Sequence, residues 1–427
     1  MGSKGSAAGV GAAVAMNQVS LTNAAYLGGT HTADKFTVEA VTLETGGEDA
    51  DKEHTHTAHA VSGAGSAAVG VAGSLAINLS DSTTSARIGE GAQLNNGAIS
   101  VNAVEKAQNT AKAEPVKNQA TGKEVGIGAV TAVNVALGET RAEIGDWAVI
   151  RADKAGADVS ISATGEHTVT TEAQGGAAGD VAVTPAVAVT VYERTTLARI
   201  GAVAWDAEPQ AAHVTGDLTI QAQSKENITT TAKGSTDGNT AAVGAAVALA
   251  LVDGVTEAVL EQDAKVGGKL TIAAQSLGKA LTHAAAGIKG GKEKDDSTPA
   301  DGVDKKVQEQ SALAAKKRGE AKDIGSGAAK AAGDDAQGVK PTPTAETAEG
   351  KVAVAGAVAV NALDFTTRAR TADDVKIIAG GEMQLTALSN IDTEAKADGS
   401  TVDGRNYQVG VGAAVAINQA SVVNRAY

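Results

Sequence analysis

Alternation of period two dominates the chain. Large residues alternate with small or polar ones and end on alanine in six places: FTVEA at 36–40, ISVNA at 99–103, VSISA at 159–163, LTIQA at 218–222, LTIAA at 270–274 and MQLTA at 383–387. Successive side chains of a strand point to opposite faces, so this pattern predicts half-buried β-strands. A second kind of segment, such as 10–16, alternates differently. One parity reads Val10, Ala12, Val14, Met16 and the other Gly11, Ala13, Ala15, and neither carries a charge. An exposed face would normally be polar, so the Gly/Ala face is expected to be covered too, by another sheet, the crossing chain or a second molecule. That makes it a candidate surface for packing or lateral association.

These segments recur. GVGAAVAMN at 9–17 is followed by VAGSLAIN at 71–78, IGAVTAVN at 127–134, VTPAVAVT at 183–190, VGAAVALA at 243–250, VAGAVAVN at 354–361 and GVGAAVAIN at 410–418. Residues 9–26 and 410–427 agree at 13 of 18 positions. The last positions of the seven copies are spaced by 61, 56, 56, 60, 111 and 57 residues. After each copy comes a short second element, AYLG at 25–28, ARIG at 86–89, AEIG at 142–145 and ARIG at 198–201, decaying to AVLE at 258–261 and ART at 369–371. The alternating strand follows, then a Thr-rich stretch such as HTVTTE at 167–172 or ITTTA at 228–232.

Strands punctuated by Gly, Asp and Asn, without helical stretches between them, exclude βαβ winding. A fixed period of this size signals stacked units that satisfy one another's backbone groups. The predicted fold is all-β, a parallel β-solenoid (β-helix) of about seven repeats of roughly 57 residues, with one partly disordered or helical insertion. Spacing leaves open whether a unit is one coil, two of about 28 residues or three of about 19. Asn17, Asn78, Asn134, Asn361 and Asn418 share a register. Stacked amides form a ladder there only if one coil equals one unit; otherwise these are turn asparagines.

The 111-residue interval locates the insertion at 285–350, between repeats at 9–284 and 351–427. It holds Pro299, Pro341 and Pro343, no aromatic residue, and 11 basic against 12 acidic residues. Residues 303–322, rich in Ala, Lys, Glu and Gln, are the one candidate helix there. The leading MGSK lacks the apolar core of a signal peptide, and residues 1–8 read as an expression tail and linker.

Composition narrows the picture. Of 427 residues, 2% are aromatic and 51 are Gly, while the 43% hydrophobic fraction is mostly Ala and Val. Such a chain suits a narrow interior filled by small side chains. No cysteine is present, which removes disulfides and thiolate metal sites. The net charge of -14 argues against nucleic acid or an anionic membrane as partner. No apolar run approaches the roughly 18 residues that span a bilayer.

Candidate chemistry is sparse. GVGAAV at 9–14 resembles a dinucleotide fingerprint only superficially, since it recurs inside strands instead of opening a helix. His54 and His56 share one face of a strand and His59 the other, so they supply at most two converging ligands. Asp146, Asp158, Asp217, Asp263, Asp373 and Asp374 fall mainly at turns, scattered one or two per unit; they are weighed as calcium ligands, but the nonapeptide of calcium-binding β-rolls is absent. No nucleophile and base can be paired on spacing grounds. The expectation is therefore no enzyme, no catalytic, cofactor or metal site, and no cofactor.

The GVGAAVAIN run, followed by ARIG and by the alternating strand ending in Ala, resembles repeats of the giant leukotoxin-family filamentous adhesins of Gram-negative bacteria, and the resemblance covers nearly the whole chain. It implies a secreted cell-surface protein, exported by an autotransporter or two-partner route and anchored through regions outside this chain. It implies a structural shaft segment that projects a binding region; self-association is expected separately, lateral through the Gly/Ala face or end-to-end through unpaired strand edges. The alternative is that the rod itself adheres to host glycan, matrix or sibling rods through 285–350.

Overall fold

The computed structural model describes residues 2–5, 7–43, 53–66, 68–116, 120–203, 211–289, 352–400 and 409–427. Eighteen strands lie in one continuous hydrogen-bonded sheet, which folds over so that two series of strands lie face to face as two sheets, with no α-helix among the described residues. Every described pairing is parallel.

Register settles what spacing left open. The first strands of the repeats, Ala8–Leu27, Val69–Ile88, Val125–Ile144, 181–200, 241–260, Val352–Thr371 and Val409–Ala426, pair in chain order. Their partners, Thr30–Val41 with His54–Ser66, Gln93–Pro115, 159–179, 218–238, Leu270–Lys289 and Met383–Asp398, do the same. One unit thus supplies one position in each series, and the 111-residue interval still counts as a single step, with Ala250 opposite Asn361.

Two sequence boundaries shift. Gly2–Gly5, read as an expression tail, pairs in register with residues 63–66. Residues 285–289, assigned to the insertion, continue the strand Leu270–Lys289 and pair with 233–237. The rest of the insertion, including the candidate helix at 303–322, lies outside the described residues.

The two series of strands bury opposite residue types. In the second series the large residues of the alternating motif point inward: Ile99, Val101, Val159, Ile161, Leu218, Ile220, Leu270 and Ile272 are all buried. In the first series the inward residues are mostly small, with Val130 the larger exception beside Ala186. Ala182, Ala186 and Ala188 are buried, while Val183, Val187 and Val189 are partly exposed. Ala186, Ala188, Ala246 and Ala248 pack on Ala58, Ala113, Ala173 and Ala232 of the facing strands. The Gly/Ala face is therefore covered, by the facing sheet of the same chain, and the valine face is the one turned outward.

The interior consequently tapers. A Cβ added to Gly128 would sit 2.1 Å from the carbonyl oxygen of Gly176, so at this rim backbone lies on backbone. Next comes alanine on alanine, then a polar zone, then a core of Ile, Leu and Val. This taper accounts for an apolar composition built on Ala and Gly with almost no aromatic side chains.

Candidate functional site

Parity places several polar side chains inside, and the repeat register stacks them. The Asn17 side-chain amide donates to Asn78 Oδ1 at 2.8 Å, Asn78 to Asn134 Oδ1 at 2.9 Å, and Asn361 to Asn418 Oδ1 at 3.1 Å. The ladder condition is met, since one unit is one step. Two members are replaced: Thr190 bonds instead with Thr171 at 2.7 Å and Thr230 at 2.6 Å, and Ala250 has no side-chain polar group. Asn134 also donates to the Asn109 and Thr170 carbonyls, tying the two sheets together. Replacing Asn78 with alanine should cost about 1–3 kcal/mol, because neighbouring buried amides lose a partner; urea denaturation reads this directly.

Deeper in, a charged cluster spans several repeats. Arg194 lies 2.6 Å from Glu105 Oε1, with side-chain exposures of 3% and 0%. Its Nη2 donates to Ser82 Oγ at 2.7 Å; Ser82 donates to Glu105 Oε1, and Thr140 donates to Glu105 Oε2 at 3.0 Å. Ser82, Gly138 and Arg194 occupy one column. Gly138, at φ +147, has no side chain to block the guanidinium, whose Nη1 is 3.1 Å from where its Cβ would stand. Glycine there lets the arginine reach past one repeat to the next.

His167, Tyr192 and Glu226 complete this zone. The His167 and Tyr192 rings meet at 6.2 Å, and both ring nitrogens of His167 and the Tyr192 hydroxyl lack a hydrogen-bond partner. Burial, reinforced by Arg194, holds His167 well below the ordinary histidine value. Burial pushes the Glu226 carboxyl up to about 8, against the opposing pull of Ser224 and Arg194. A carboxyl raised in the folded state stabilises the fold fully below its unfolded value, near 4.5, and loses that contribution as pH rises through about 8. Glu226→Gln should therefore flatten the fall in stability between those pH values, a difference on the order of 5 kcal/mol at pH 9. Denaturation midpoints across this range check it.

The turn aspartates cap neighbouring repeats. Asp158 Oδ1 accepts from the Asp217 backbone N–H at 2.8 Å, Asp217 Oδ1 from Lys269 at 2.7 Å, and Asp263 Oδ1 from Lys376 at 2.7 Å. Asp146 accepts from the Ala202 N–H at 3.0 Å and pairs with Arg199. Backbone capping, rather than convergence on a cation, is what these carboxylates do. The ARIG element adds a charge ladder. Arg87, Glu143 and Arg199 are successive in register, and Glu143, 2% exposed, meets Arg87, Arg141 and Arg199. Burial pushes its carboxyl up, but the three arginines outweigh it and hold it below its ordinary value.

The histidines divide as parity requires. His54 and His56 stack with centroids 6.3 Å apart, and His59 turns outward to Glu114 at 2.8 Å. Among the described residues, no three His, Asp or Glu side chains are grouped to hold a metal. No helix among them is long and apolar enough to cross a membrane. On the outside, a shallow cleft of about 390 Å³ is bordered by Glu193, Asp253 and Asp364, which stack in register. Burial, then the two neighbouring carboxylates, raise Asp253 above its usual range.

No family model, curated protein or solved structure matches this chain. The geometry alone carries the functional reading. Its dense polar chemistry lies inside, where the asparagine ladder, the Glu105–Arg194 pair and the Glu143 arginines link one repeat or one sheet to another.

Proposed function

We propose that the chain is a segment of a parallel β-solenoid with one coil per repeat, serving as the structural shaft of a large secreted bacterial surface adhesin or filament. The supporting observation is the constant register of the first strands across seven repeats, kept on both sides of Pro185 and through the step from Ala250 to Asn361. A shaft has to repeat, to resist bending and to offer no weak joint, and interior ladders that bond each repeat to the next serve all three. Each repeat lengthens the stack by about 4.8 Å, while a 20-residue strand runs about 65 Å across it. Such a shaft is broad and stiff rather than slender.

The reading is tested in the intact surface protein by two deletions. Removing 56 residues, one whole repeat in register, should leave folding, surface display and adhesion unchanged. Removing 290–351 should do the same. Loss of adhesion on the second deletion, with display intact, would transfer the binding role to that segment and overturn the shaft reading.

A further inference from the structure

The outward face of the first strands carries no charged residue over a width of five side-chain columns in all seven repeats, from Val10–Gln18 at one end to Val411–Gln419 at the other. Its large side chains are open to solvent even in the middle of the stack: Val243 is 37% exposed, Val247 39% and Leu251 43%. Nine residues at about 3.3 Å and seven strands at about 4.8 Å make a patch on the order of 1,000 Å². The largest apolar patch of an ordinary monomer is about 300–600 Å². A standard stable interface takes about 800 Å² from each partner.

From this face we infer a second copy of the same chain as its occupant, packed sheet to sheet. The relief of the face fits a copy of itself. The column through Ala12, Gly73, Ala129, Ala245, Gly356 and Ala413 is a groove of small residues, narrowed at Pro185, and the flanking columns through Val243 and Val247 are ridges. A ridge of one copy enters the groove of the other, as isologous packing requires. The rim argues against a lipid surface, because the stacked carboxylates of Glu193, Asp253 and Asp364 border the patch and repel anionic headgroups. They also set the orientation. A two-fold axis along the stacking direction turns each acidic column toward the partner's opposite rim, whereas an axis across it would bring like charges together. The two copies therefore run parallel. This pairing stands whether or not the chain is a shaft.

The test is sedimentation of the full chain across a wide concentration range, beside the double variant Val187→Glu/Val247→Glu and the milder Val187→Thr/Val247→Thr, whose threonines keep strand-forming shape. The wild type should be a dimer, and dissociation should be at least 100-fold easier in the threonine variant, with an unchanged circular dichroism spectrum. The glutamate variant should be a monomer. A monomeric wild type, or a dimer that persists equally in both variants as end-to-end pairing would, overturns the inference. So does recruitment of the wild type, but not of the variants, to vesicles of phosphatidylcholine and phosphatidylglycerol.

Discussion

Gly128→Ala is expected to destabilise the fold by about 3 kcal/mol, although it adds a single methyl group. The new Cβ would stand 2.1 Å from the Gly176 carbonyl oxygen and 2.8 Å from its carbon. Both atoms belong to a backbone paired in register with Ser235 of the next repeat, so neither can turn away as a side chain would. The matched control is Gly356→Ala, on a first strand of the same register but at the outward parity, where an added Cβ meets nothing within 4 Å. Alanine already fills that column at Ala129 and Ala245. Gly356→Ala should stabilise by about 0.5–1 kcal/mol, because the unfolded chain loses freedom. Guanidinium denaturation of the two variants reads both effects. Equal changes would mean that the facing sheets are not in contact at this rim.

Glu105→Ala should cost about 3–5 kcal/mol. It strands the Arg194 guanidinium in an interior where, among the described residues, its ion-pair partner was the lost carboxylate, and it leaves Ser82 and Thr140 without their acceptor. Removing both charges is expected to hurt less than removing one, since buried desolvation is then relieved on each side. The double variant Glu105→Leu/Arg194→Met should recover at least half of the single-variant loss. A thermodynamic cycle built from melting curves decides it. Additive losses would show that the pair is not coupled.

The repeat, the parallel pairing and the inward face of the second strands were all legible in the sequence, because large residues at 36–40, 99–103 and their copies leave only one face to bury. The orientation of the first strands was not legible. Both parities there are apolar, and hydrophobicity alone favours burying Val187 and Val189 over Ala186 and Ala188. What decides the choice lies elsewhere in the chain, in the facing strands, where Ala113, Ala173 and Ala232 leave room for little more than alanine; Val130 is buried on that parity, with Gly175 beside it. The charged interior was missed for a different reason. Counting from Ala103 and Ala222 in steps of two reaches Glu105 and Glu226, so parity places both inside, whereas Arg194 lies on a first strand, whose orientation was not legible. That signal was present, but a carboxylate and a guanidinium two repeats apart become partners only through the gap that Gly138 leaves. Of the aspartates expected mainly at turns, Asp146, Asp373 and Asp374 lie in turns and Asp158 and Asp217 in connections, while Asp263 opens a strand, and the capping bonds follow only once neighbouring repeats are known to be one step apart.

The central claim, one coil per repeat in unbroken parallel register, is tested most directly by distances along a single column. The chain has no cysteine, so pairs of introduced cysteines can carry spin labels at chosen sites. Thr37, Ser100, Ser160, Thr219, Thr271 and Gln384 are successive members of one outward column on the second strands. With labelled protein diluted into unlabelled protein, the distance from 37 to 271 should be about 19 Å and from 37 to 384 about 24 Å, one strand spacing more. The 113 residues between 271 and 384 would then add no more than the 52 between 219 and 271. An increment of two strand spacings or more across that interval, or distances without a common step, would contradict the account.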